Sequence, residues 1–178
     1  MGNILIIGPS GSGKTTLSRE IKQNNSNFSN FVADTSRNVR EGEINGIDYN
    51  FTTPEYIINN NKILENYLME EYFGKYYGYN LNNFDFSTNF ILCPGIKVAD
   101  EILKNMNKYG FIISILLIID KNTFIDRLVK RGESKEEIIK RERSLELLDF
   151  SNKVDFIING NSNLNEVIDD FSNILKNN

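Results

Sequence analysis

The chain has 178 residues, of which 40% are hydrophobic, a formal net charge of -4, no histidine and one cysteine, Cys93. This size suits a single compact domain, and the acidic balance argues against a general nucleic-acid binder. The absence of histidine disfavours a zinc site, and a single cysteine cannot form a disulfide within the chain. Because no apolar run approaches the roughly 18 residues of a membrane span, and the first predicted strand leaves no room for a signal peptide, we expect a cytoplasmic protein with no membrane or nucleic-acid partner.

A phosphate-binding loop is predicted near the start of the chain. The apolar run 3–7 predicts a buried strand, and 14–24 predicts a helix. Between them the sequence fits G-x-x-x-x-G-K-[ST], in which backbone N–H groups surround phosphate oxygens at a helix N-terminus. Lys14 would reach the terminal phosphates, and Thr15 would ligate Mg²⁺. The alternative is a chance glycine-rich turn, but the flanking strand and helix favour nucleoside triphosphate binding. The predicted triphosphate-binding residues are Gly8, Pro9, Ser10, Gly11, Ser12, Gly13, Lys14, Thr15 and Thr16.

The rest of the chain alternates short apolar runs with helical stretches, which predicts a parallel sheet flanked by helices. The further strands are expected over 31–33, 89–93, 111–119 and 154–158, and the further helices over 96–108, 122–131, 135–148 and 164–175.

Two segments interrupt this alternation. Residues 35–79 are rich in tyrosine and mixed charge and are punctuated by glycine, which predicts a small β-rich insert. Residues 127–143 are rich in arginine and lysine around a Gly132-Glu133-Ser134 break. That segment is either a solvated helical hairpin or a lid that closes over phosphates, and the phosphate-binding loop favours the lid.

Several motifs resemble those of guanylate kinases, in the same order. Residues 35–51 resemble T-T-R-x-P-R-x-G-E-x-x-G-x-x-Y-x-F, and 73–78 resemble F-G-N-Y-Y-G. Residues 127–141 resemble the lid pattern R-L-x-x-R-G…E-E…K-R, and 157–159 are similar to the strand that ends beside the adenine. The loop form G-P-S-G-x-G-K is also typical of the family. The chain is therefore identified as a divergent member of the guanylate kinase family.

The resemblance implies an α/β fold, a P-loop parallel sheet flanked by helices, with a small β-rich insert that binds the nucleoside monophosphate (NMP) and a basic helical lid. It implies one domain over 1–178. The expected core covers 1–34, 80–126 and 144–178, with the insert at 35–79 and the lid at 127–143. The implied activity is transfer of the γ-phosphoryl group of ATP to GMP or dGMP with Mg²⁺.

The resemblance also implies roles for individual residues. The catalytic residues would be Lys14, Arg37, Arg127, Arg131 and Arg141. Asn159 would join the P-loop in binding ATP, and Thr15 would be the metal ligand. The acceptor would be held by Arg37, Arg40, Glu43, Tyr49 and Tyr77. Arginines offer forked donors to a phosphate dianion, although Arg37 and Arg40 could instead form surface ion pairs with Glu41 or Glu43.

The residues that read the base depart from the family pattern. Ala33 stands where the family has serine, Leu68 where it has glutamate, Tyr79 where it has a small hydroxyl residue, and Cys93-Pro94-Gly95 where it has D-x-D. The remaining acidic candidates are Asp34 and either Glu65 or Glu70. We therefore expect guanine to be preferred with weaker discrimination. The alternatives are an NMP kinase of different or broader base specificity, and a nucleotide- or protein-binding module with little turnover.

Overall fold

The computed structural model describes residues 2–25, 27–83, 89–146 and 150–176. The helices are α1 (Lys14–Asn24), α2 (Pro54–Ile63), α3 (Ile96–Lys104), α4 (Lys121–Lys130), α5 (Lys135–Glu146) and α6 (Leu164–Lys176). The strands are β1 (Asn3–Ile7), β2 (Phe28–Asn30), β3 (Ala33–Thr35), β4 (Tyr49–Phe51), β5 (Tyr67–Tyr72), β6 (Lys75–Asn80), β7 (Asn89–Leu92), β8 (Phe111–Ile118) and β9 (Phe156–Asn159). None of the described helices is long and apolar enough to cross a membrane.

The main sheet has five parallel strands in the order β2-β7-β1-β8-β9. Leu5 and Ile7 of β1 pack in a core with α3 on one face, and Ile4 and Ile6 pack in a core with α1 and α6 on the other. A strand buried on both faces reads as a continuous apolar run rather than an alternating one. The predicted P-loop parallel sheet flanked by helices is confirmed, and the loops after β1, β7 and β9 lie together at its carboxyl edge.

The insert holds a second sheet of four strands in the order β4-β3-β6-β5, which starts at Ala33 and ends at Asn80 and so extends slightly beyond the predicted 35–79. It also holds α2, which the sequence analysis missed. Pro54 opens that helix, and the hydroxyl of Thr53 accepts a hydrogen bond from the N–H of Tyr56 at 3.2 Å. Pro54 and its Thr53 cap were the available signal for a helix start.

The strand predicted at 31–33 is wrong in position. The chain instead makes two short strands there, β2 in the main sheet and β3 in the insert, so that residues 31–32 connect the two sheets. The side chain of Phe28, which is only 2% exposed, anchors β2 in the core. The other strands and helices of the core begin and end within a few residues of their predicted bounds, and positions 147–148 of the helix predicted at 135–148 lie outside the described residues.

The segment predicted as a lid, 127–143, covers the end of α4 and most of α5, two helices that pack together. Phe124 and Leu128 of α4 form a small buried cluster with Ile138 of α5. Gly132, with φ of +78°, ends α4. Its N–H donates to the carbonyl of Val129 at 2.9 Å, and the N–H of Glu133 donates to the carbonyl of Leu128 at 3.1 Å. These two bonds make a Schellman turn, which fixes the angle between the helices.

Candidate active site

The P-loop joins β1 to α1 at the carboxyl edge of the main sheet. Gly13 precedes α1 with φ of +99°, a conformation that favours glycine. The side chain of Lys14 folds back over the loop, where Nζ donates to the carbonyl oxygens of Gly8 at 2.6 Å and Pro9 at 2.9 Å. Burial lowers the pKa of Lys14 to about 8, and the neighbouring Arg131 acts in the same direction. A bound phosphate would oppose both effects and favour the charged ammonium.

Two adjoining spaces lie beside this loop. We call the first, of about 150 Å³, the inner cavity. It is lined by Gly8, Pro9, Ser10, Gly11, Gly13, Lys14, Thr15, Arg37, Arg40, Tyr49, Glu70, Tyr72, Tyr77, Tyr79, Cys93, Pro94, Gly95, Ile96, Arg131 and Arg141. The second, of about 890 Å³, lies between the insert and the lid and is called the outer cleft. Arg37, Arg40, Arg131 and Arg141 line both spaces, so the cationic side chains lie where the two meet.

Arg37 is held in place by Glu43. Its guanidinium nitrogens donate to the two carboxylate oxygens of Glu43, each at 2.6 Å, and its side chain is only 8% exposed. The guanidinium also lies over the ring of Tyr49, 4.7 Å from its centroid. The ion pair that the sequence analysis gave as an alternative is therefore present, and Arg37 lines the inner cavity as well. A bidentate pair of this kind sets the direction of the guanidinium.

Tyr49 and Tyr77 add hydroxyl-bearing rings beside Arg37. Their rings meet edge to face with centroids 6.2 Å apart, and both line the inner cavity. Burial raises the pKa of Tyr49 to about 12, so its phenol remains protonated at neutral pH. It can then donate a hydrogen bond to an anion without adding charge to the site.

Glu70 is the acid that the structure brings to the inner cavity. It is 4% exposed, and Oε1 accepts from the hydroxyl of Tyr79 at 2.9 Å and from the N–H of Gly95 at 2.7 Å. Burial raises the pKa of Glu70, against the opposing effect of these bonds and of the N–H groups of Lys97 and Val98. The carboxylate thus lies at the N-terminus of α3, where the helix dipole favours negative charge.

The two other acidic candidates for base reading do not line this cavity. Asp34 points to the opposite face of β3, where it accepts hydrogen bonds from the hydroxyl of Tyr67 at 2.5 Å and from the side chain of Asn50 at 3.0 Å. Glu65 lies in the turn before β5 and is outside the lining of the cavity. Strand alternation explains the position of Asp34, because successive residues of β3 point to opposite faces of the sheet. Glu65 precedes β5 and so takes no part in the alternation that places Glu70.

The lid residues divide into two groups. Arg131 and Arg141 line both the inner cavity and the outer cleft. Arg127 instead bonds to backbone, donating to the carbonyl oxygens of Gly11 at 3.0 Å and Gly160 at 2.8 Å. Its guanidinium is therefore directed at the P-loop backbone and lies outside the lining of both spaces. Asn159, predicted to bind ATP, also lies outside the lining of both spaces and accepts from the N–H of Asn161 at 3.1 Å.

The sequence model of the guanylate kinase family matches residues 1–178 of this chain. The chain belongs to the guanylate kinase family. It is 35% identical over 167 residues to the guanylate kinase of Streptococcus pneumoniae, covering 87% of this chain and 77% of that protein. It is 31% identical over 179 residues to that of Chlorobium chlorochromatii, covering 94% and 90%. The crystal structure of guanylate kinase from Anaplasma phagocytophilum shares the fold, with a TM-score of 0.70, 22% identity and coverage of 98% and 84%.

Within this family fold, six residues that line the inner cavity were not assigned to the site from the sequence: Tyr72, Tyr79, Cys93, Pro94, Gly95 and Ile96. Tyr72 follows Glu70 by two residues on β5 and so faces the same side. Tyr79 lines the end of the cavity where Glu70 and Gly95 lie, which we call the acceptor end because the acceptor is predicted to bind there, and it stacks on Phe31 with ring centroids 6.4 Å apart. Ile96 begins α3. The alternation of side chains along β5 and β6 could have predicted that Tyr72 and Tyr79 face the cavity. That prediction requires the register of the two strands, which the sequence does not give.

Proposed function

We propose that this protein is an ATP:GMP phosphotransferase, which converts ATP and GMP into ADP and GDP. One observation carries the proposal: a single cavity is lined by the P-loop, by the arginines and tyrosines of the insert and by the arginines of the lid. Two anionic substrates could therefore meet with their phosphates side by side. Membership of a family whose relatives are named guanylate kinases supports the same conclusion.

On the donor side, the backbone N–H groups of the P-loop and the Lys14 ammonium would hold the β- and γ-phosphates. Among the described residues, no group of three or more His, Cys, Asp or Glu side chains could hold a metal ion. This fits Mg²⁺ that arrives with the nucleotide, because Mg²⁺ is usually bound through substrate phosphates, waters and few protein oxygens. The Thr15 hydroxyl would be one such oxygen, and the ion would neutralise charge on the phosphates.

On the acceptor side, Arg37 and Arg40 would grip the phosphate of GMP, helped by the hydroxyls of Tyr49 and Tyr77. Glu43 would orient Arg37 rather than touch the substrate. A phosphate oxygen of GMP then attacks the γ-phosphorus, and the bond from that phosphorus to the oxygen bridging to the β-phosphate breaks to release ADP. Such a transfer needs positioning and charge stabilisation more than a protein nucleophile.

Arg131 and Arg141 would come down on the transferring phosphoryl group from the lid. Arg127 would act through the P-loop, whose Gly11 carbonyl it holds. We keep the division into core, insert at 35–79 and lid at 127–143 as part of the proposal, with the lid closing on the insert when both substrates are bound. Closure of this kind would exclude water from the phosphoryl group.

At the base, Glu70 is the acid best placed to face guanine, but its carboxylate already accepts hydrogen bonds from Tyr79 and Gly95. Ala33 offers no side-chain hydrogen bond. A site discriminates strongly only where a wrong ligand leaves a buried donor or acceptor unpaired. This supports GMP and dGMP as acceptors with modest discrimination, and it favours a broader base preference as the second candidate.

The test is a coupled ADP-release assay with GMP, dGMP, AMP, CMP, UMP and their deoxy forms. We expect the highest kcat/KM with GMP or dGMP. A better rate with an adenine or pyrimidine acceptor would reject the base assignment and leave an NMP kinase. Saturable binding of GMP by a folded protein that releases no ADP with any acceptor would instead indicate a binding module.

A further inference from the structure

Glu133 lies in the middle of the arginine cluster, at the boundary between insert and lid. Its side chain is 10% exposed. One carboxylate oxygen is 3.4 Å from a guanidinium nitrogen of Arg40, and the other is 3.3 Å from a guanidinium nitrogen of Arg141. A single carboxylate therefore joins the arginine predicted to grip the acceptor to an arginine of the lid.

The backbone determines where this carboxylate lies. Glu133 closes the Schellman turn that ends α4, and the next residue, Ser134, caps α5. The N–H of Ser134 donates to the carboxylate of Glu137 at 3.1 Å, and the N–H of Glu137 donates to the hydroxyl of Ser134 at 3.3 Å. Glu133 is thus fixed between two capped helix ends, and its position does not depend on a flexible loop.

The surrounding charge is otherwise strongly positive. Burial lowers the pKa of Arg131, the neighbouring Arg40, Arg127 and Arg141 lower it further, and Glu133 opposes them. Without an anion, these cations would repel one another and hold insert and lid apart. In a protein without nucleotide, Glu133 supplies the negative charge that phosphate groups would supply in the complex.

We propose that Glu133 is an internal counter-ion, which pairs with Arg40 and Arg141 until the phosphates of the substrates displace it. The inference rests on the proposed function. Both N–O distances are longer than the roughly 2.7–2.9 Å of strong charge-assisted hydrogen bonds, so these pairs are readily exchanged for a phosphate dianion. Contacts made only by the free protein weaken the binding of any ligand that must replace them. Glu133 is therefore a positioning residue that lowers nucleotide affinity.

The test compares Glu133→Gln with wild type by calorimetric titration of GMP at two salt concentrations. The variant keeps the shape of the side chain and removes its charge. We expect GMP to bind about two- to tenfold more tightly, since ion pairs near the protein surface each change an equilibrium constant by a factor of roughly 1.5 to 5. We also expect a steeper loss of affinity with salt, because more net positive charge faces the phosphate. KM for GMP should fall by a similar factor.

Glu41→Gln is the matched control. Glu41 lies exposed in the same outer cleft, and no ion pair of the described residues joins it to Arg40 or Arg141. This variant removes the same charge, so it reports the long-range effect alone and should change GMP affinity by less than about twofold.

Two outcomes would overturn the proposal: Glu133→Gln binding GMP no more tightly than Glu41→Gln, or binding it more weakly than wild type. Glu133→Asp keeps the charge but is one methylene shorter and cannot reach both arginines. We expect it to bind GMP more tightly than wild type, and unchanged or weaker binding would again refute the proposal, even if the glutamine variant failed to fold. If wild type is active and the variants give these results, only the counter-ion role of Glu133 is rejected. If wild type shows no turnover with any NMP, the proposed function is rejected.

Discussion

Replacing Gly95 with alanine would test how the acceptor end of the cavity is held together. Gly95 has φ of -78°, which any residue adopts, so the backbone does not oppose the change. A Cβ atom at this position, however, would lie closer than 3.0 Å to three atoms of the Glu70 carboxyl group. The carboxylate must therefore move by about 1 Å or more to restore ordinary van der Waals contact.

The displaced carboxylate loses its hydrogen bonds from the Tyr79 hydroxyl and the Gly95 N–H, at 2.9 and 2.7 Å. Hydrogen bonds to charged groups contribute about 1.5–3 kcal/mol each, and the cost of burying Glu70 offsets part of this. We expect Gly95→Ala to lower the free energy of unfolding by about 2–4 kcal/mol. For a chain of this size the melting temperature should fall by roughly 5–15 °C, and KM for GMP should rise.

The decisive measurement is the double-mutant cycle with Glu70→Ala, followed by denaturant unfolding. Removing the carboxylate makes room for the new methyl group, so Gly95→Ala should cost no more than about 1 kcal/mol in that background, as a change of the residue that caps α3. The two substitutions should therefore be strongly non-additive. Additive losses, or a Gly95→Ala protein as stable as wild type, would refute the contact between this glycine and Glu70.

Three further predictions concern the phosphate-binding groups. Lys14→Met should leave the fold intact but lower kcat by roughly 10²–10³, as loss of one preorganised electrostatic contact does; near-normal turnover by the folded variant would reject the mechanism. Arg40→Ala should chiefly raise KM for GMP, whereas Arg131→Ala should chiefly lower kcat, because lid contacts form on the way to the transition state; an identical kinetic pattern would reject the separate roles of insert and lid. Burial opposes ionisation of Glu43, yet hydrogen bonds from Arg37 and from the Arg40 N–H outweigh it and hold the pKa of Glu43 below its ordinary 4.5. The pair therefore stabilises the fold above pH 4.5 and loses this effect as pH falls through the lowered pKa. In Glu43→Gln, the free energy of unfolding should thus decrease less steeply on acidification than in wild type. The same steepness in both proteins would contradict this prediction.

The core of the fold could be predicted from the sequence because its signals are local. The strand at 3–7 and the helix at 14–24 match β1 and α1 in full, since a continuous apolar run and a four-residue apolar spacing each require only neighbouring residues. The sequence does not predict α2 because Ile57 is the only buried residue of this helix and Asn59, Asn60 and Asn61 have poor helix propensity. Packing of α2 against β5 and β6 stabilises it, and that contact is invisible before the fold is known.

The candidate site shows the same limit. Motif spacing predicted that Arg37 and Arg131 would lie near the P-loop, and both line the inner cavity beside it. Spacing did not distinguish Glu65 from Glu70, because the choice depends on where β5 begins and on which face of β5 packs on the main sheet. It also did not place Arg127, whose guanidinium is directed at the backbone of the P-loop by the packing of α4.

Gly95 and Glu70 together account for the main departure from the family pattern at the acceptor end of the cavity. The family's acidic pair is missing at Cys93-Pro94-Gly95, and the absence of a side chain at Gly95 leaves the space that the Glu70 carboxylate occupies. Negative charge is therefore retained at the acceptor end, but it comes from β5 of the insert and not from the end of β7. Because Glu70 also accepts from the N–H of Gly95, just before α3, the acid proposed to face the acceptor ties the insert to the core. Any change in base preference that acts through Glu70 should thus appear together with a change in stability, whereas the phosphate-binding arginines can be altered without disturbing this contact.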